Sequence, residues 1–174
     1  MNSKSSPIGL FRVITSAAFV LALMTGVAKA QSGVPQFRDY PVSEAYTGKT
    51  APLIIKRDDK MFRTRLRWAA KNQKPNFAGR YILTTWGCGT SCIMGAVIDA
   101  KTGRVHWWDF SICCWGYDVD ENFQAIEVRL NSKLIVFSGA RNEKDGDIGA
   151  HFYKFENGRF VRIRSVLKAN QSGS

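Results

Sequence analysis

The chain has 174 residues, of which 45% are hydrophobic and 22% are charged, and its formal net charge is +11. A chain of this length is predicted to form one domain of ordinary size with a workable hydrophobic core. The positive charge favours acidic binding partners.

The first 30 residues have the features of a secretory signal peptide. Lys4 and Arg12 form a basic start, residues 13–27 are almost wholly apolar, and Ala28-Lys29-Ala30 matches the small-x-small pattern that signal peptidase accepts. The apolar run is shorter than the roughly 20 residues that a spanning helix needs. We therefore expect cleavage after Ala30, no membrane span in the mature protein, and a periplasmic or secreted location in a bacterium.

The mature chain would remain strongly basic. Cleavage removes three basic residues and no acidic one, which leaves 144 residues with 22 basic and 14 acidic side chains, a net charge of +8. We expect the partner to be an envelope protein or an acidic envelope polymer such as a phosphorylated glycan, or anionic lipid head groups. Nucleic acid is not expected, because an exported protein rarely meets it, and no cofactor is expected.

Residues 31–58 predict an extended, turn-rich lead. The prolines at positions 35, 41 and 52 each bias the preceding residue away from helix, and residues 51–55 could form an edge strand. Residues 59–168 are predicted to form a single disulfide-stapled, β-rich domain, followed by a flexible tail over residues 169–174.

One amphipathic helix is predicted from Lys60 to Asn72. Asp58 or Asp59 can cap it, and Pro75 ends it. The predicted apolar face consists of Phe62, Leu66, Ala69 and Ala70, and the basic face of Lys60, Arg63, Arg67 and Lys71. This pattern is typical of a helix that covers a sheet with a solvated basic back. Arg63 and Arg67 are candidate binding residues on that back.

The rest of the chain has β-type patterns. Segments rich in aromatic and β-branched residues are 80–86, 92–98, 104–110, 125–130, 134–138, 151–155 and 159–166. Short turn sequences join several of them, and residues 141–147 are predicted to be a polar loop. The predicted fold is mainly β (α+β): an antiparallel curled sheet, or a two-layer sandwich or barrel, of about seven or eight strands with the helix packed on it.

All four cysteines lie in two short segments, at Cys88 and Cys92 and at Cys113 and Cys114. If the turn at residues 99–103 sets Ile98 opposite Arg104, Cys92 faces Phe110 and the four sulfurs converge at one end of the sheet. The first pair lacks the C-x-x-C spacing of a redox centre, and adjacent cysteines make a poor zinc knuckle. We therefore expect structural disulfides and no metal site.

The pairing of the cysteines is less constrained. Adjacent Cα atoms lie about 3.8 Å apart, below the usual range for a disulfide. We therefore expect bridges from the Cys88/Cys92 turn to the Cys113/Cys114 segment. One such bridge, closing a loop of about 26 residues, would stabilise the fold by about 3.5 kcal/mol.

Large aromatic residues surround the cysteines. Trp86, Trp108, Trp115 and Tyr117, with Asp118, could form a recognition surface on rigid loops, although some of these rings are expected in the core. Trp115 is expected to be the most exposed. We favour this end over the basic helix as the docking surface, because disulfides would reduce the ordering cost of binding.

No catalytic residue is predicted. Both histidines, His106 and His151, lie in predicted strands without a catalytic motif. Asp118, Asp120 and Glu121 could act as paired carboxylates in a glycan hydrolase, but three acids in a loop are more often solvated. The predicted function is an exported binding or inhibitor-type protein that acts through a rigid aromatic loop surface without its own catalysis. The alternative is a cell-envelope hydrolase that uses these loop carboxylates.

A set of short motifs spread over most of the mature chain resembles a family of small exported bacterial proteins of uncharacterised function. The motifs are Phe62-Arg-Thr-Arg-Leu66, Asn76-Phe-Ala-Gly79 with Tyr81, Trp86-Gly-Cys-Gly-x-x-Cys92, Asp99-x-x-Thr-Gly103 and Arg141-Asn142-Glu143. The resemblance implies bacterial export. It assigns no activity and no functional residue.

Overall fold

The computed structural model describes residues 33–115 and 119–168. The predicted signal peptide and the predicted C-terminal tail lie outside these ranges. The described elements are a 3-10 turn at Phe37–Asp39, a 3-10 turn at Asp58–Phe62, helix α1 (Arg63–Asn72), and strands β1 (Tyr81–Gly89), β2 (Cys92–Asp99), β3 (Val105–Trp107), β4 (Ile112–Cys113), β5 (Ile126–Val128), β6 (Leu134–Arg141), β7 (Gly149–Glu156) and β8 (Arg159–Leu167). No helix in this part of the chain has the length and hydropathy needed to cross a bilayer.

The eight strands form one antiparallel sheet. Its main path runs β1-β2-β4-β6-β7-β8, with β3 beside one half of β2 and β5 beside β6. Strands β1 and β8 are the edges, so the sheet is not closed into a barrel. The prediction of a mainly β fold with antiparallel pairing and one helix is confirmed.

The predicted strand over residues 104–110 ends early, at Trp107, and the separate short strand β4 follows at Ile112–Cys113. Ile98 lies opposite Val105 rather than Arg104, and Cys92 lies opposite Cys113 rather than Phe110. The chain leaves the ladder after β3 because the rings of Trp108 and Phe110 turn into the core, 5.3 and 5.0 Å from the ring of Phe137. Aromatic residues raise β-propensity wherever they occur, so composition alone could not show this interruption.

The predicted edge strand at residues 51–55 is not a strand. Two backbone hydrogen bonds of 2.8 Å, from Ala51 to the Ala100 carbonyl and from Ile54 to the Gly103 carbonyl, hold this segment against the β2–β3 turn. Gly103 has φ +72°, and a Cβ there would collide with the Pro52 carbonyl oxygen. The close approach therefore requires glycine.

Helix α1 covers one face of β1 and β2. Leu66 and Ala69 are fully buried, and they pack with Ile82, Ala96 and Ile98 of the sheet. The residues of the predicted basic face are all exposed. The predicted amphipathic helix is therefore confirmed over Arg63–Asn72. Its predicted start at Lys60 and the predicted cap by Asp58 or Asp59 are wrong, because Asp58–Phe62 forms a 3-10 turn and neither the turn nor the helix begins with a side-chain cap.

A second cluster fills the opposite side of the sheet. Phe137 is completely buried at its centre, and Val97 of β2 belongs to this cluster, whereas Ala96 and Ile98 belong to the cluster under the helix. Strand β2 is therefore buried on both faces, as its uninterrupted apolar sequence predicts. The lead packs Phe37 and Tyr40 against a smaller cluster on β6 and β7.

Candidate functional site

The cysteines converge at one end of the sheet, as predicted. Cys92 lies opposite Cys113 across β2 and β4, and Cys113 lies opposite Ala140 of β6. These three side chains form a small buried cluster.

The pairing differs from the expected one. Cys88 pairs with Cys92, with Cα atoms 5.1 Å apart, and Cys113 pairs with its neighbour Cys114, with Cα atoms 3.8 Å apart. The expectation of bridges between the two segments is wrong. The β1–β2 register shifts between Gly87 and Gly89, which brings Cys88 next to Cys92. Cys114 has φ +58°, so it leaves the strand conformation that would separate neighbouring side chains.

Because they close short loops, the observed disulfides stabilise the fold less than bridges between the two cysteine segments would. The Cys88–Cys92 bridge spans a sequence separation of 4. In the chain-entropy model such a short loop is worth about 2 kcal/mol, against about 3.5 kcal/mol for a bridge between the segments. The bridges therefore constrain the shape of one turn and one loop, and the hydrogen-bonded ladder joins the strands.

A non-reducing tryptic digest tests this pairing. Cleavage after Lys101 and Arg104 separates the peptide that holds Cys88 and Cys92 from the one that holds Cys113 and Cys114. Mass spectrometry should find the two peptides unlinked, each 2 Da lighter than its reduced form because a disulfide has lost two hydrogens. A linked pair of peptides, or four free thiols, would contradict the local pairing.

The aromatic residues at the cysteine end are mostly core residues. Trp86 and Trp108 are only 8% and 4% exposed, so neither offers a surface to a partner. Trp115 is half-buried and packs against Phe123, with ring centroids 5.9 Å apart. Tyr117 and Asp118 lie outside the described residues. The predicted aromatic surface is thus reduced to Trp115 within the described part of the chain.

The basic helix face is the most strongly charged surface segment. Between residues 57 and 74 the exposed cations are Arg57, Lys60, Arg63, Arg65, Arg67, Lys71 and Lys74. None of them forms an ion pair with another described residue. Of the two acids in the segment, Asp58 is exposed and Asp59 is buried, where it accepts hydrogen bonds from Trp107 Nε1 (2.8 Å) and the Lys56 backbone (2.7 Å).

Two large apolar side chains lie among these cations. Met61 is 84% exposed and Trp68 is 59% exposed, the highest values for large hydrophobic residues in the described ranges. We call the seven cations with Met61 and Trp68 the basic helix face. Trp68 was missed as a candidate. The sequence could have identified Trp68, because the helical period places it away from the apolar side of the helix that Leu66 and Ala69 form.

The two described loop carboxylates, Asp120 and Glu121, lie at exposed positions. Asp120 accepts a hydrogen bond from the Asn122 backbone (2.8 Å) and caps its own turn, and Glu121 is exposed. Asp118 lies outside the described ranges. No group of three or more histidine, cysteine or acidic residues that could hold a metal ion occurs within those ranges.

The predicted polar loop at residues 141–147 contains an ordered ion pair. Arg141 donates from Nε and Nη2 to the Asp147 carboxylate at 2.8 and 2.7 Å, and from Nη1 to the Tyr153 hydroxyl at 2.9 Å. These hydrogen bonds from Arg141 lower the pKa of Asp147 to about 2. His151 is completely buried beside the pair, and its Nε2 donates to the Asp147 and Gly139 carbonyls. This histidine is a structural residue.

The other histidine lines a polar cavity at the far end of the sheet. His106 Nδ1 lies 3.1 Å from the Gly158 carbonyl, and burial lowers the pKa of the imidazole. Nearby, Arg80 forms an ion pair with Asp99 (3.2 Å) and donates to the Tyr81 hydroxyl (3.0 Å). Burial is the main cause of a raised pKa at Tyr81.

Comparisons of the chain with protein-family models, with curated protein sequences and with solved structures found no match.

Proposed function

We propose that the protein is exported and acts by binding, without chemistry of its own, and that the basic helix face is its main contact with an acidic partner in the cell envelope. The observation that carries this proposal is the set of seven exposed cations that form no ion pair with a described residue, on the segment that also carries the exposed ring of Trp68. The signal-peptide pattern of residues 1–30 supports the export part.

The basic helix face is better suited to docking than the cysteine end. Its cations have no competing carboxylate partners among the described residues, so a ligand anion would not have to break an existing ion pair. Helix α1 is anchored by the buried Leu66 and Ala69, which gives the surface a fixed backbone. At the cysteine end, Trp86 and Trp108 are buried in the core and offer no surface to a partner.

The chemistry of this face points to an acidic polymer with phosphate or carboxylate groups. Arginine binds both groups through a planar pair of donors, and four of the seven cations are arginines. The Trp68 ring adds an apolar surface on which a sugar ring or a lipid chain can lie. Binding would block access to the polymer or hold the protein on it, and blocking is the action expected of an inhibitor-type protein.

The double variant Arg63→Ala with Arg67→Ala tests the proposal. Each arginine that contacts an anion should contribute about one to the slope of log Kd against log salt concentration, so the slope should fall by about two. Binding of the mature protein to immobilised polyphosphate and to polygalacturonate can be measured over a salt series. Vesicles with anionic lipids, run in parallel, distinguish a polymer from a bilayer surface.

Trp115→Ala is the matched variant for the other surface. If the basic helix face is the contact, this variant should bind both polymers with an unchanged Kd. Binding would be assigned to the cysteine end instead if Trp115→Ala raised Kd about tenfold, or ~1.4 kcal/mol, and the double arginine variant kept the salt slope of the wild type.

A further inference from the structure

A polar cavity lies at the opposite end of the sheet from the cysteines, since β2 begins at Cys92 and ends at Asp99, which lines it. We call it the His106 cavity. Its volume is about 410 Å³, and a neighbouring cavity of about 530 Å³ shares Arg80 and Lys133 with it. Small-molecule sites in proteins have volumes of about 300–1,000 Å³.

The charges around the His106 cavity leave a positive excess. Its lining cations are Arg80, Arg104 and Lys133, and its lining acids are Asp99 and Glu156. Asp99 is neutralised by Arg80 at 3.2 Å, and Glu156 by Lys154, which lies outside the lining, at 2.9 Å. Arg104 has no ion-pair partner in the described part of the chain, and Lys133 reaches Glu156 only at 3.9 Å.

Two side chains of the cavity have unused hydrogen-bonding capacity. A carbonyl oxygen only accepts, so His106 Nδ1 must carry the proton that it shares with Gly158, which leaves Nε2 as an acceptor. The lowered pKa of His106 keeps the ring neutral near pH 7. The Tyr81 oxygen accepts from Arg80, so its own hydrogen is free to donate. No described residue bonds to His106 Nε2 or takes the Tyr81 proton.

We propose that the His106 cavity binds a small hydroxylated anion, such as a uronic acid or a sugar phosphate. Arg104 and Lys133 bind the anionic group, His106 Nε2 accepts a hydrogen bond from a ligand hydroxyl, and the Tyr81 hydroxyl donates to a ligand oxygen. This site is separate from the basic helix face, shares none of its residues, and would function whether or not that face binds a polymer.

The chain contains only two histidines, which allows a direct test by nitrogen-15 NMR of the imidazoles. His106 reports on the cavity, and the completely buried His151 is an internal control. The probes are glucuronate, glucose 6-phosphate and neutral glucose. At least one of the two anions should shift the His106 Nε2 signal saturably while the His151 signals stay in place, and glucose should bind about tenfold more weakly.

Arg104→Gln is the informative variant, because Arg104 is exposed and its loss leaves the core intact. Its Kd for the anion should rise about tenfold. Arg162→Gln, which removes the same charge from an exposed position of β8, should leave that Kd unchanged, and unshifted His151 signals show that each variant is folded. The proposal is overturned if neither anion shifts His106 saturably below about 50 mM. It is also overturned if glucose binds as tightly as the anions, or if Arg104→Gln has no effect.

Discussion

The variant Asp147→Asn should lower the free energy of unfolding by about 3 kcal/mol at pH 7. The substitution keeps the shape of the side chain and removes its charge. Arg141 then retains a partly buried guanidinium group, 19% exposed, without the carboxylate that accepts two of its hydrogen bonds. A charge left uncompensated in this way costs more than an exposed ion pair contributes.

The same ion pair should make stability depend on acidity. Hydrogen bonds from Arg141 hold the pKa of Asp147 at about 2 in the folded protein, below its ordinary value of 3.8. Between these values the unfolded chain binds a proton that the folded chain does not, so the stabilisation is complete above about pH 4 and is lost as the pH falls to about 2. The difference between the two pKa values corresponds to about 2 kcal/mol.

Urea unfolding of both proteins at pH 7, 4 and 2 measures the effect. The stability gap between the wild type and Asp147→Asn should narrow by about 2 kcal/mol from pH 4 to pH 2. Asp145→Asn, at an exposed position of the same loop, should change stability by no more than about 0.5 kcal/mol. The ion pair would contribute little to stability if the difference in unfolding free energy between the two proteins were small at pH 7 or did not narrow in acid.

The fold was largely predictable from local patterns. The helix was found because Leu66 and Ala69 recur at helical spacing, and most strands because β-branched and aromatic residues cluster between turn sequences. The interruption between β3 and β4 was missed because Trp108 and Phe110 leave the ladder to pack on Phe137. That packing depends on residues far along the chain.

The candidate sites were less predictable. The cysteine pairing depends on a bulge at Cys88 and on the positive φ of Cys114, and neither is visible in the spacing of the cysteines. The loop at residues 141–147 has the composition of a solvated turn. The contact between Arg141 and the Tyr153 hydroxyl arises only in the folded sheet, and strand register does not reveal it, because Tyr153 lies opposite Ile135. Arg63 and Arg67 were found because the helical period places both on the solvent side.

Charge reversal on the helix should have the largest effect on binding. Replacing Arg63 and Arg67 with glutamate removes two attractive charges and adds two repulsive ones. Each cation near an anionic surface contributes about 1 kcal/mol, so the two lost attractions cost about 2 kcal/mol, and the two new repulsions, which salt screens, add about 0.7 kcal/mol. Kd for the polymer should therefore rise about 100-fold, or ~2.7 kcal/mol. Both side chains are exposed, so the free energy of unfolding should change little.

The matched control is Arg159→Glu with Arg162→Glu, at exposed positions of the edge strand β8. Both double variants have the same net charge, so a difference in Kd between them depends only on where the charges were changed.

The most direct test is the Kd of the mature wild type and the two variants for polyphosphate and polygalacturonate at one moderate salt concentration. The helix variant should bind about 100-fold more weakly and the β8 variant less than about fivefold more weakly. Equal losses would mean that net charge alone drives binding, and an unaffected helix variant would show that the basic helix face is not the contact.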